Sequence, residues 1–366
     1  MILKNIRLHN YRNYENLDLS FQEGIHILSG KNAQGKTNIL ESILYLSTTR
    51  SHRTNNDEDL IKEGCDAFFM RATIEKQGRK KELQITVNDK GKNLFLFKNP
   101  VNRVSDFIGE FNAVMFCPDD MTLFNASPRV RRRFIDMELS KVSKKYMNTL
   151  FIAQKLLKER NACLKSESVN RKYLDVLTDQ IVESQIIVMK QRYFFLQQLV
   201  EKSQTFYERL SSDHTKISVQ YESCVPFYED EELWKNELKE KYKKSLDRDM
   251  FLKQTTVGIH KEDYVFKMND KEVATYASQG QKRSILLALK IGMIYMIKDI
   301  IGEYPVLLLD DVFSELDSYR RKELLYSLPQ VVQTFISTTD IEEFVNIDTD
   351  RKVSIWNVED GIIKEM

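Results

Sequence analysis

Along the chain, apolar residues gather into short β-like runs at both ends and into helix-spaced positions through the middle. Ile2 to Leu8, Leu17 to Phe21, Ile25 to Ser29, Phe69 to Ile74, Glu82 to Asn88 and Leu94 to Lys98 predict strands. Asn88-Asp89-Lys90-Gly91 predicts a hairpin turn between the last two, so the first part of the chain is mixed and contains antiparallel strands. Phe111 to Phe116 reads as another strand. Ser127-Pro128 then supplies a helix N-cap and a proline at the first helical position. From there Ile135, Leu139, Val142, Tyr146, Leu150, Ala153 and Leu157 recur at steps of three and four. A second series from Leu174 to Leu210 follows a polar break near Ser166 to Asn170. The spacing predicts two long antiparallel helices, each about 50 Å if unbroken, forming an arm that projects from the body. After Tyr264 the pattern alternates: a helix from Gln281 to about Ile301, a strand Val306 to Leu309, a helix Ser318 to Leu328, and strands at Val331 to Ser337 and Val353 to Asn357. That alternation belongs to a parallel sheet with crossover helices, and it places both chain ends in one domain.

Composition sharpens this picture. None of the 12 glycines lies between Gly109 and Gly258, which marks that block as a separate helical region. The boundaries that follow are 1–125 and 250–366 for a discontinuous head and 126–249 for the arm. At 366 residues and 42% hydrophobic, the chain exceeds one ordinary core and is too apolar for a disordered polyelectrolyte. With 55 basic against 54 acidic residues, any nucleic-acid surface must be a local patch. Cys65, Cys117, Cys163 and Cys224 are scattered and the five histidines form no cluster with them, which excludes a disulfide framework and a zinc site and makes a reducing cytoplasm the default. Charges at the N-terminus and Lys290 inside the longest apolar stretch exclude a signal peptide, a spanning helix and a membrane partner.

The chemistry is concentrated in three motifs. Gly30-Lys31-Asn32-Ala33-Gln34-Gly35-Lys36-Thr37, with Asn38 opening the helical run behind it, satisfies GxxxxGK[ST] in a strand-loop-helix frame. Phosphates need inward-pointing backbone N–H groups, a helix N-terminus, an ammonium on the β/γ oxygens and a hydroxyl on Mg²⁺; Lys36 and Thr37 fill the last two roles. Val306-Leu307-Leu308-Leu309-Asp310-Asp311 delivers two carboxylates to the C-terminal edge of a buried parallel strand. Asp310 is the expected Mg²⁺ partner, and Asp311 the group that polarises the attacking water. Lys36 and Asp310 are 274 positions apart, more than one P-loop domain holds, so the helical arm is an insertion. Ser278-Gln279-Gly280-Gln281 opens the helix before the acidic strand; taken alone it is an ordinary N-cap, and beside the other motifs it is a second anion site for the γ-phosphate held by another subunit.

These motifs, with Ser284 closing Ser278-Gln279-Gly280-Gln281-Lys282-Arg283, the run Val312-Phe313-Ser314-Glu315-Leu316-Asp317 and Thr338-Thr339-Asp340, resemble the ATP-binding-cassette ATPases of the SMC and Rad50 type. Within that group Leu8 to Tyr14, Pro118-Asp119-Asp120 and Pro128 to Asp136 are most similar to the RecF family. The resemblance spans the first strand to the last. It departs at Ala126, Phe124 and Gly258-Ile259-His260-Lys261, and Gln279, Asp311 and Thr339 replace the glycine, glutamate and histidine of transporter cassettes. The implied fold is an α/β P-loop NTPase, an ABC-type ATPase head with an antiparallel β-subdomain plus the inserted α-helical arm. The implied function is that of an ATP- and Mg²⁺-dependent recombination mediator, a slow, DNA-stimulated ATPase. It would dimerise with ATP, bind duplex DNA near single-strand gaps, act with RecR and RecO, and help load RecA. The resemblance also implies that Arg12 lies near the phosphates and that Ser314 to Asp317 crosses the dimer interface.

Physical support for DNA binding is a run from Arg129 to Lys172 with 13 basic and four acidic residues. Arg131, Arg132, Lys141, Lys144 and Lys145 are the candidate phosphate contacts. A solvated helix face is the commoner meaning of such a run, and Arg131 to Arg133 equally suit a brace to Asp119 or Asp136. Rival readings are a transporter energy module, which needs a membrane partner, a P-loop kinase, which needs an acceptor pocket, and an SMC-like clamp, for which the hairpin is short.

Overall fold

The computed structural model describes residues 1–211, 215–313, 316–341 and 350–366. They pack as two units, one of residues 1–121, 202–214 and 283–366, the other of 122–201 and 215–282. Among the described residues no helix is long and apolar enough to cross a membrane.

The first unit contains two six-stranded sheets. One is antiparallel, in the order Tyr14–Ser20, Ile2–Tyr11, Ala67–Lys76, Arg79–Asn88, Gly91–Leu96, Asn99–Pro100. Its strands alternate between buried and half-exposed positions, as a sheet covered on one face must. Asn88 pairs with Gly91, so the expected hairpin turn is present with Asp89 and Lys90 at its tip. The other sheet runs Ile362–Glu365, Val353–Glu359, Ile25–Ser29, Thr334–Thr338, Val306–Asp310, Ala113–Phe116. All of its neighbours are parallel except the first pair. Ile25–Ser29, Val306–Asp310, Thr334–Thr338 and Ala113–Phe116 are buried at every position, as parallel strands covered on both faces are. The helix Lys36–Thr48 buries 11 of its 13 residues, because it packs on the parallel sheet and also sets Tyr45 edge-on against Phe68 of the antiparallel one. One apolar core therefore runs through both sheets.

The second unit is built on the helices Pro128–Val142, Lys144–Lys165 and Glu231–Leu252, on residues 171–201 of the helix Arg171–Leu210, and on a three-stranded sheet, Lys271–Glu272, Asp263–Met268, Ile217–Glu222. The first expected helix is divided at Ser143, whose extended backbone ends one helix while its hydroxyl accepts the Tyr146 N–H of the next. Pro128 occupies the first turn as expected, although the Ser127 side chain makes no capping bond. Arg171–Leu210, at 40 residues, is about 60 Å long. Glu231–Leu252 and Ile217–Glu222 were not among the expected elements, and through their sheet Asp263–Met268 groups with this unit.

Two buried arginines cross-link these elements. Arg192 donates to both Asp136 oxygens, to Glu262 Oε2 at 2.6 Å, to the Ile259 carbonyl and to the Tyr146 hydroxyl. Burial pushes the Glu262 carboxyl above its ordinary pKa against the opposing pull of Arg192. Arg160 donates to Asp249 at 2.8 Å and to Thr255, and Asp249 also accepts from the Thr256 amide and hydroxyl. Both members of this pair are essentially inaccessible. Removing one of them strands the other without water, a loss of about 3–5 kcal/mol. Asp249→Ala is therefore expected to move the urea midpoint reported by Trp234 fluorescence far down, whereas Arg160→Leu combined with Asp249→Leu moves it less. Trp356, in the first unit, serves as the internal reference; equal midpoints for Asp249→Ala and the parent would show that the pair contributes nothing.

Candidate nucleotide site

The phosphate loop begins where Ile25–Ser29 leaves the parallel sheet and ends at the helix Lys36–Thr48. Its two glycines are demanded by space as well as by conformation. A Cβ on Gly30 would stand 2.2 Å from the Val358 carbonyl oxygen, and one on Gly35, at φ 110°, would stand 2.6 Å from the Tyr14 hydroxyl. Gly35 is also the N-cap, so no side chain occupies the first N–H groups of the helix. Ala33 is held at φ 65°, and the loop is braced by Tyr14 donating to the Gly35 carbonyl and Asn13 to the Gln34 carbonyl. Asn38 donates to Asn13 Oδ1 at 2.8 Å. The Lys36 ammonium donates to the carbonyls of Gly30 and Lys31, lying across the loop. Burial lowers its pKa against the pull of Asp311 and Asp310.

The acidic strand arrives as the sequence spacing demands. Thr37 Oγ1 donates to Asp310 Oδ1 at 2.9 Å, joining the two motifs. Ser337, at the end of the strand lying between them, donates to the same oxygen at 2.7 Å and accepts the Asp311 N–H at 2.9 Å. Asp311 sits at φ 53°, a left-handed conformation that costs a residue other than glycine about 1 kcal/mol or more, and its amide bond to Ser337 helps hold it there. Asp310 is buried while Asp311 is exposed, a division suited to one fixed ligand and one group facing a reactant. A cavity of about 440 Å³ is lined by residues 32–38 with Arg53, Asp310, Asp311 and Ser337.

Ser337 and Arg53 were missed from the sequence. Strand order is what reveals Ser337: its strand pairs in parallel with both motif strands, so its C-terminal end must reach the same sheet edge. Arg12, expected near phosphate, is outside that lining. Its guanidinium forms a two-bond fork with buried Glu41 at 2.8 Å and donates to the Asp59 carbonyl. Burial pushes Glu41 up, but hydrogen bonds from Arg12 and Ser51 outweigh it and hold the carboxyl below its usual pKa. Arg53, on the cavity wall, donates to Asn38 Oδ1 at 2.9 Å. Burial lowers the pKa of His52 beside it, against the pull of Glu41 and Asp310.

In the second unit, Ser278 and Gln281 form a capping box: Gln281 N–H donates to Ser278 Oγ at 3.2 Å and Ser278 N–H to Gln281 Oε1 at 2.9 Å. Ser278, Gln279 and Gly280 are exposed at the head of the helix. Of the loop Ser314 to Asp317, Ser314 and Glu315 lie outside the described residues. The candidate DNA residues divide. Lys144 and Lys145 are exposed. Lys141 is 2% exposed and paired with Glu138 at 2.6 Å, which corrects its reading as a phosphate contact, since burial removes it from any surface. Arg131 is paired with Asp263, and Arg132 donates to the Glu262 carbonyl, so both brace the sheet of this unit. Arg131 thus makes its brace to Asp263.

A family model, "RecF/RecN/SMC N terminal domain", matches residues 2–364. "DNA replication and repair protein RecF" of Halalkalibacterium halodurans is 38% identical over 372 residues, with all of both chains covered. The chain belongs to the RecF family. The RecF of Pediococcus pentosaceus is also 38% identical, over all of this chain and 99% of its own. A solved structure, "the recombination mediator protein RecF-ATP in RecFOR pathway", superposes with a TM-score of 0.92 at 31% identity, covering all of this chain and 97% of that one. An Smc head from Pyrococcus furiosus, 16% identical at a TM-score of 0.55, shares the fold. The head is thus the ABC-type ATPase head of a RecF-family DNA replication and repair protein, and the chain is an ATPase. The fold and family expected from the motifs are both borne out.

Ser337 supports both acidic residues of this RecF-family site without lying in either sequence motif. Ser337→Ala is expected to lower kcat for ATP about tenfold while changing ATP affinity much less, and Ser337→Thr to restore most of the loss. Steady-state hydrolysis with equilibrium nucleotide binding measures both, and an alanine variant at the parent rate would remove Ser337 from the site.

Proposed function

We propose that the chain is an ATP-driven recombination mediator that engages duplex DNA beside single-strand gaps, acts with RecR and RecO, and promotes RecA loading. The observation that carries the nucleotide half is the shared Asp310 oxygen, accepting Thr37 at the end of the phosphate loop and Ser337 at the end of the neighbouring strand. The Thr37 hydroxyl and the Asp310 carboxylate are hard oxygen donors 2.9 Å apart, a set that fits Mg²⁺, which takes few protein ligands beside phosphate oxygens and water. When bound, that ion neutralises charge on the β and γ oxygens. The chain's own groups do the rest. Backbone N–H groups of residues 32–38 and the Lys36 ammonium orient the phosphates, and Asp311 polarises the water that attacks the γ-phosphorus. Aspartate is one methylene shorter than glutamate, which accounts for slow turnover. The long-lived ATP state is then the working state, and stimulation by DNA sets its lifetime.

In that state the exposed Ser278, Gln279 and Gly280, with Gln281, receive the γ-phosphate of a second copy, so ATP closes a homodimer. Two consequences separate binding from turnover. Ser278→Arg is expected to keep nucleotide affinity and lose ATP-dependent dimerisation, measured by light scattering. Asp311→Asn is expected to bind ATP, persist as a dimer and hydrolyse far more slowly. An ATP-independent mass for the parent, or a dimer of the Ser278→Arg variant, would sink the proposal.

The DNA half rests on the exposed lysines of Lys144–Lys165. Lys144, Lys145, Lys155 and Lys158 are exposed on this helix. Replacing these four by alanine is expected to weaken duplex binding similarly for all sequences and to flatten its salt dependence by roughly 0.9 in log–log slope per lost contact, with DNA-free hydrolysis unchanged. Unaltered affinity and slope would move the DNA surface off this helix.

A further inference from the structure

The second unit contains a separate cavity of about 400 Å³, four of whose nine lining residues are aromatic. Tyr193 comes from the helix Arg171–Leu210, Tyr221 and Glu222 from the strand Ile217–Glu222, Pro226 and Phe227 from the loop after it, and Trp234 from the helix Glu231–Leu252. The rings hold one another in place. Tyr193 stacks on Phe227 at 4.0 Å and 12°, Phe227 meets Trp234 edge-on at 5.0 Å, and Tyr193 tilts toward Tyr221 at 6.4 Å. A wall fixed this way requires no ordering when a ligand arrives.

The segment that supplies most of its wall is acidic. Residues 217–234 contain five carboxylates and no lysine or arginine. Asp230 is used as a helix cap, Glu231 pairs with Lys190, and Glu232 pairs with Lys235. Glu222, on the cavity wall, accepts only a 3.3 Å hydrogen bond from Gln220 among the described residues and has no cation within 4 Å. An aromatic box with an unneutralised carboxylate on its rim is the arrangement that receives a cation over ring faces. Phosphate-bearing ligands are repelled by the same carboxylates. A planar guanidinium fits better than an ammonium, because it stacks on a ring and forks onto the carboxylate together.

We propose that this cavity is a docking site for an arginine side chain presented by a partner protein. The segment carrying it would be basic, to match the carboxylates of residues 217–234. This site is distinct from the nucleotide cavity, since every residue on its wall belongs to the second unit.

The test uses the full chain labelled with 5-fluorotryptophan, whose two fluorine signals report Trp234 in the cavity wall and Trp356 in the first unit. The probe is a pentapeptide, acetyl-Gly-Ser-Arg-Ser-Gly-amide, with citrulline in place of arginine as the neutral isostere. Titration is expected to shift the Trp234 signal saturably at millimolar peptide and leave Trp356 unchanged. Citrulline, or Glu222→Gln in the protein, is expected to weaken binding about tenfold. Glu222 is exposed, and unshifted fluorine signals in the ligand-free variant confirm its fold. Absence of a saturable shift, equal binding of the citrulline peptide, or parent affinity in Glu222→Gln overturns the proposal. So does an equal Trp234 shift caused by a duplex oligonucleotide, which would assign the cavity to nucleic acid. None of these outcomes bears on ATP-driven mediation, because neither the probe nor the variant touches the nucleotide cavity.

Discussion

A single carboxylate oxygen, Asp310 Oδ1, takes hydroxyl hydrogens from Thr37 and Ser337, residues far apart in the chain. The rest of the head is arranged to make that meeting possible. It requires Ile25–Ser29, Thr334–Thr338 and Val306–Asp310 to run parallel and adjacent, so that their C-terminal ends coincide. Parallel neighbours require crossover connections, and both faces must then be covered, which is why these strands are buried along their whole length. The helix Lys36–Thr48 supplies the cover on one side and is itself closed over by the antiparallel sheet. Burial of Glu41 in that helix in turn needs a cation, and Arg12, from the turn between the first two strands, provides it. Arg12 thus helps the site through the helix that carries Lys36 and Thr37.

What could be read from sequence was what chemistry ties to local spacing. The phosphate loop is one contiguous motif, and an apolar run ending in two aspartates has little other use beside it. Ser337 could not be found by inspection, because a serine in a strand looks ordinary until strand order is known. Ser143 was invisible for a related reason: the apolar steps Leu139, Val142 and Tyr146 continue through it, and only its backbone shows that two helices meet there. Lys141 was misread because net charge along a helix says nothing about which lysine points inward, and Glu138, one turn earlier, makes burial affordable. The helix Glu231–Leu252 buries Trp234, Leu238 and Tyr242 at steps of four, a stripe too narrow to stand out among its charges.

The second unit shows how little the net charge of +1 reveals. Residues 129–172 have an excess of nine positive charges and residues 217–234 a deficit of five. Beneath these surfaces Arg160 and Arg192 take their carboxylates from distant positions, Asp249, Asp136 and Glu262. Those buried pairs specify which helix packs on which, since an arginine left without its partner is far costlier than a misplaced leucine. The helical unit is therefore held in register by ions at its centre while its exterior remains free to differ in sign from one face to another.

The order of strands in the parallel sheet bears on how the protein is made. Ile25–Ser29 leaves the ribosome early, but its two neighbours in the sheet, Thr334–Thr338 and Val353–Glu359, are among the last segments synthesised. At about 5–20 residues per second, the strand that starts the phosphate loop waits on the order of 15–60 s for both of its hydrogen-bonding edges. Throughout that interval an apolar strand with open edges is exposed to other nascent chains. The antiparallel sheet, complete by Pro100, and the helix Lys36–Thr48 can shelter it in the meantime, which gives those early elements a protective role before the enzyme exists.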